Sequence, residues 1–165
     1  MKIHLVTIIS LFALNSAIAG GPTMPEDWRM PTSNELSDEW RSGKYKNAQA
    51  IGDFNGDGLI EGAFLAVSRD GKYEGLLAFV YLGGKEQWFV LSKNNLSGSV
   101  FMGLDLYKPG KYKVLCETEI ECNKAYKKEI EIKNDSFVFY RPESASSIFV
   151  WDKTKNQFDR IWESD

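Results

Sequence analysis

The sequence predicts a mainly β fold, an antiparallel, sandwich-like single domain with one short N-terminal helix. Three observations lead there. Beyond residue 47, apolar and polar residues alternate in short runs, the period of a half-buried strand. Glycine, asparagine and aspartate punctuate those runs at hairpin spacing. A helical start signal followed by helical spacing occurs only near residue 32.

Residues 1–19 read as a secretory signal peptide. Met1-Lys2 is positive, Leu5 to Leu14 is apolar, and Ala17-Ile18-Ala19 supplies the small-x-small end. The apolar run is shorter than the roughly 20 residues a membrane span requires, and no later stretch is apolar enough. The expected product is residues 20–165, exported to a periplasm or to the outside, with no membrane span.

Residues 20–31 are rich in glycine and proline and should be extended. Thr32 and Glu35 have capping-box spacing, in which the threonine oxygen serves the N–H three residues on and the glutamate reaches back. Leu36 and Trp40 then share one face of a helix ending at Ser42-Gly43. Strands are expected over 48–53, 63–68, 75–82 and 87–92, the last two joined through Gly83-Gly84-Lys85-Glu86. Further strands are expected over 111–117 and 126–133, then 137–140 after the turn at Asn134-Asp135. A final hairpin pairs 148–152 with 158–162.

Composition excludes several kinds of function. The formal net charge is −3, or about −4 without Lys2, and the lysines form no basic stripe, so no nucleic-acid partner is expected. The single histidine is His4, within the signal peptide, so the exported chain has none. Histidine-based triads and histidine-ligated metal sites are thereby excluded. Cys116 and Cys122 are the only cysteines; their spacing is wider than C-x-x-C, and in an oxidising compartment they should form one structural disulfide.

The densest chemistry lies in Asp53-Phe54-Asn55-Gly56-Asp57-Gly58-Leu59-Ile60-Glu61. Oxygen-bearing side chains stand at its first, third, fifth and ninth positions, and calcium takes six to eight oxygen ligands. An EF-hand is excluded, because the twelfth residue is Phe64 and the flanks read as strands. The loop resembles the calcium loops of FG-GAP and VCBS repeats, D-x-N-G-D-G-x-x-D between two strands, with Glu61 replacing the last aspartate. The resemblance implies calcium held by the side chains of Asp53, Asn55, Asp57 and Glu61 and by the carbonyl of Leu59. The motif occurs once, so it implies a local loop and not a propeller. The wider frame, Asp27-Trp28-Arg29 early and residues 143–147 late, resembles exported bacterial proteins that carry one such loop. The alternative is that Asn55-Gly56 and Asp57-Gly58 are simply turn dipeptides.

Secondary surface candidates are Glu117, Glu119 and Glu121, which alternate between the cysteines, and Trp28, the tryptophan in the proline-rich segment. Each has a plainer reading, a solvated strand face and a buried ring respectively. Together these features suggest a non-enzymatic exported domain that binds another protein in the cell envelope or outside, with calcium holding a loop in shape. A carbohydrate- or surface-binding module is the alternative, and a carboxylate-based hydrolase the second.

Overall fold

A computed structural model of the chain describes residues 23–38, 48–116 and 127–164. The signal peptide, most of the expected helix, Cys122 and the three glutamates 117, 119 and 121 lie outside those residues.

Among the described residues, eleven strands form three sheets. β1 (Trp28–Arg29), β2 (Gln49–Gly52), β3 (Glu61–Ser68), β4 (Tyr73–Leu82) and β5 (Lys85–Asn95) make the first. Its order is β1-β3-β4-β5, with β2 sharing the outer edge of β3 with β1. β6 (Gly103–Tyr107), β9 (Ser136–Tyr140), β10 (Ser146–Asp152) and β11 (Gln157–Ser164) make the second, in the order β11-β10-β9-β6. β7 (Gly110–Leu115) and β8 (Lys127–Ile132) form a separate hairpin. Each of these strand pairs is antiparallel.

Alternation explains the layering. Ala63, Leu65 and Val67 of β3 and Leu76, Ala78 and Val80 of β4 face inward, where they meet Phe137, Phe139, Phe149, Trp151 and Phe158 of the second sheet. That shared core makes the sandwich. The hairpin covers part of the second sheet's other face, where Val114 and Ile132 pack with Ile148. On the outer face of the first sheet, Phe64 stacks on Phe79, and Trp88 tilts against both.

The mainly β, antiparallel expectation is therefore met, and most strands fall within a few residues of their expected bounds. The Gly83-Gly84 turn joins β4 to β5 with φ of 59° and 75°. Two consecutive positive φ values define a type I′ turn, which matches the twist of the strands it connects. Two strands lie outside the expected set. β1 sits in the segment read as merely extended, and β6 is introduced by Phe101-Met102 without a clear alternation.

Only the glutamate half of the capping box forms at 32, the Glu35 N–H meeting the Thr32 carbonyl and not its hydroxyl, and Leu36 departs from the expected helix. The Glu35 carboxylate accepts from the Thr32 backbone N–H and hydroxyl, both at 2.9 Å. Leu36 forms a parallel bridge with Val100 and packs on the core. Asp38 is the first described residue in helical conformation, and the rest of the expected helix lies outside the described residues. Tertiary pairing with Val100 thus overrides the local preference at Leu36.

Arg29 completes the capping group, its fork meeting both Glu35 oxygens at 2.6 and 2.7 Å. Those bonds, with the Thr32 N–H, hold Glu35 at about 2, below its ordinary 4.5. A depressed carboxylate pKa contributes stability above the unfolded value and loses it as pH falls through the folded value. For this partly exposed pair the contribution is about 1 kcal/mol. Wild type should therefore exceed Glu35→Gln in stability at pH 6, and the gap should close between about pH 4.5 and 2. An undiminished gap in denaturant titrations at the acid end of that range would contradict the assignment.

Candidate functional site

The acidic loop joins β2 to β3, and Phe54 anchors it. Alternation drives this ring into the core, where it is 1 % exposed and meets Phe137 edge-on at a centroid distance of 5.0 Å. Phe158 closes the other side at 6.1 Å. A second anchor comes from the turn between β8 and β9. Asp135 Oδ2 accepts from the Asp53 N–H at 3.2 Å, and Asn134 Nδ2 donates to the Phe54 carbonyl at 3.3 Å. Gly56, at φ 73°, makes room for that turn: a Cβ there would lie 2.7 Å from the Asn134 amide oxygen. Lys108 neutralises Asp135 from the solvent side at 3.1 Å.

Within the loop, side-chain oxygens serve backbone N–H groups. Asp53 Oδ1 accepts from Gly56 and Asp57, and its Oδ2 from Gly58. Asp57 Oδ1 accepts from the Leu59 N–H, and Asn55 Oδ1 from the Asp57 N–H, both at 2.8 Å. These are Asx-type turns nested in one another.

Glu61 is the centre of the arrangement. It is the first residue of β3, points inward, and is fully buried. Its Oε2 accepts from the backbone N–H groups of Phe54 at 2.9 Å and Asn55 at 3.1 Å. Its Oε1 accepts from Asn55 Nδ2 at 2.7 Å and the Tyr81 N–H at 3.0 Å. Burial pushes its carboxyl up to about 7, while the N–H groups of Tyr81, Asn55 and Phe54 pull the other way. All four groups facing it are donors, so a neutral acid's proton would have no acceptor there. The donors favour the anion and burial opposes it, so the anion is the main form only above about pH 7.

Calcium needs more oxygens than this bonding leaves free. A carboxylate offers about four acceptor positions, and Glu61 has filled all four with N–H groups. Asp53 Oδ1 is likewise filled. What remains is one free position each on Asp53 Oδ2 and Asn55 Oδ1, the exposed Asp57 carboxylate and the Leu59 carbonyl. Calcium would have to draw the rest of its six to eight oxygens from water. Among the described residues, no group of three or more His, Cys, Asp or Glu is arranged to hold a metal ion. In this bonding Glu61 has no free position with which to act as the ligand that the resemblance implied. Its extra methylene carries the carboxylate past the loop and into the sheet interior. With Glu61 engaged, the residues present do not complete the expected five-residue cage.

No protein-family model, curated protein or solved structure matches the chain. The site has to be read from its own geometry.

Other expected positions resolve differently. Trp28 is 6 % exposed, not an open platform. Its ring lies over Gly75, where a Cβ would approach it to 2.6 Å, and packs with Ala66 and Leu77. Pairing of Trp28 with Ser68 at the edge of β3 turns the ring onto the sheet. The tryptophan most open to solvent among the described residues is Trp162, 44 % exposed, with the Arg160 guanidinium 4.1 Å above its ring. Cys116, just after β7, is disulfide-bonded, and its expected partner Cys122 lies outside the described residues. No helix among the described residues is long and apolar enough to cross a membrane.

Sequence reasoning missed the outward half of the loop. Leu59 is 46 % and Ile60 65 % exposed. Ile51, opposite Gly62 on the adjoining ladder, is 42 % exposed. The available signal was parity: Glu61 faces inward, which sends Ile60 the opposite way. A recess of about 310 Å³ lies beside β6, β9 and the end of β11, lined by Asp105, Tyr107, Tyr140 and Glu163 among others. There Glu163 accepts from the Tyr107 hydroxyl at 3.0 Å and the Ser146 hydroxyl at 2.9 Å.

Proposed function

We propose that the chain is an exported, non-enzymatic domain that binds another protein through Leu59 and Ile60, where the acidic loop enters β3. The observation that carries this reading is the exposure of two large aliphatic side chains, 46 % and 65 %, on a loop fixed from several directions. Single exposed apolar residues are ordinary. Here Ile51 is also exposed, on the neighbouring strand, and the loop is held by Phe54, Glu61 and the Asn134-Asp135 turn. A preordered loop loses little conformational entropy on binding, which is how a small apolar patch gains affinity. Asp53 and Asp57 give it a polar rim, the usual surround of such an anchor.

Export is supported by the signal-like residues 1–19 and by the bonded state of Cys116, which suits an oxidising compartment. The alternatives have less behind them. A sugar platform needs an open aromatic face, whereas Trp28 is buried and Arg160 covers Trp162. Carboxylate hydrolysis would be sought in the recess beside Glu163, whose oxygens are already engaged by Tyr107 and Ser146.

The test is capture from a cell-envelope extract by wild type and by the double variant Leu59→Asp, Ile60→Asp. Wild type should retain a defined protein, and the double variant should bind that protein at least about 100-fold more weakly, about tenfold per anchor. Both sites are exposed, so unfolding curves should nearly coincide. Equal capture by the two proteins would sink the reading, as would wild-type retention on polysaccharide alone.

A further inference from the structure

The loop combines a calcium-loop spacing with a donor pattern that leaves the expected cage incomplete, and one residue reconciles the two. Asn55 is 5 % exposed. Its amide nitrogen lies 2.7 Å from Glu61 Oε1, 3.0 Å from the Tyr81 carbonyl oxygen and 3.1 Å from Asp57 Oδ2. Three oxygens from three separate places in the chain, two of them on carboxylates, thus converge on a single NH₂ group. Convergence of oxygens on a positive centre is what a cation would bring about. We infer that the Asn55 amide takes the place of a cation, so that the loop assumes its calcium-loop shape with no metal bound.

The orientation of the amide is set by its neighbours. Asn55 Oδ1 faces the Asp57 N–H at 2.8 Å. Reversing the group would set a carbonyl oxygen against Glu61 Oε1 and the Tyr81 carbonyl, and an NH₂ against the Asp57 N–H. Every contact would become donor to donor or oxygen to oxygen. The amide carries partial positive charge at its hydrogens, and in a buried setting hydrogen bonds to an ionised carboxylate are the strong ones. Its two hydrogens are shared among three acceptors, which ties β2's exit, the head of β3 and the end of β4 at one point.

Substituting aspartate at 55 separates the possibilities. In a calcium loop the third position commonly carries aspartate or asparagine, and aspartate adds a carboxylate to a metal. Here Asn55→Asp removes the central donor and sets a third carboxylate against those of Asp57 and Glu61. The inference holds independently of any partner of Leu59 and Ile60.

The experiment is thermal unfolding of the oxidised, exported chain, wild type and Asn55→Asp, first in chelator and then across a calcium titration to millimolar. Calorimetric titration of wild type with calcium is the second readout. Wild type should show no saturable rise in melting temperature and no binding heat. Asn55→Asp should melt several degrees lower than wild type in chelator. A saturable rise or heat with wild type would overturn the inference, as would an aspartate variant as stable as wild type in chelator. If Asn55→Asp fails to fold in chelator, that too is the loss expected, and the wild-type titrations decide the metal question alone.

Discussion

Exchanging Glu61 for glutamine is expected to cost about 3 kcal/mol, the loss associated with breaking charged hydrogen bonds in a buried network. For a domain of this size that corresponds to a melting temperature lower by about 6–12 °C. Glutamine has nearly the same shape, so the change isolates hydrogen-bond polarity from packing. Whichever way the new amide turns, its NH₂ meets two donors. On one side these are the Phe54 and Asn55 N–H groups, on the other Asn55 Nδ2 and the Tyr81 N–H. The change is read by thermal and denaturant unfolding at pH 8.5, above the value of about 7 to which burial raises Glu61. A variant within a degree of wild type would mean that Glu61 is carried as a neutral acid, which glutamine mimics, and the anionic assignment would fail.

Phe54→Ala should cost about 3–5 kcal/mol, as for other large rings removed from packed cores. The ring is 1 % exposed, and its contacts with Phe137 and Phe158 join the loop to the second sheet. Its loss opens a cavity at the place where the acidic loop is fastened. Denaturant titration should give the stability loss. Partner binding should weaken as well, beyond what the unfolded fraction explains, because Leu59 and Ile60 lose their fixed backbone. Phe54→Leu should recover most of the stability, since it refills much of the volume. An alanine variant less than about 1 kcal/mol below wild type would show that the loop is fastened elsewhere.

Much of the fold is legible in the chain because its signals are local. Alternation in 63–68 and 75–82 and the Gly83-Gly84 turn need no partner to be recognised. β1 is not legible, because two residues carry no period, and only pairing with Val67 and Ser68 makes them a strand. Leu36 is misplaced by local rules for the same reason, its bridge to Val100 being a tertiary event. Within the acidic loop the spacing of oxygens is legible, but their directions are not. Asp53 and Asp57 turn toward nearby N–H groups that sequence places within five residues. Glu61 and Asn55 are satisfied by Tyr81, twenty or more positions away. A spacing rule counts acceptors without counting donors, and here the donors decide what the acceptors do.

The docking of Asn134 and Asp135 onto residues 53 and 54 also sets an order of events during folding. The loop is nine residues long, yet its bonds to that turn span 80 and 82 positions of chain. Contacts at such separation require a long loop to close first and are among the slower ones to form. The nested turns of residues 53–59 belong to the fast, local class, whereas their fastening waits until β9 has been added. A nascent chain that has released only its first hundred residues would therefore hold this loop in outline, still searching for the turn that locks it.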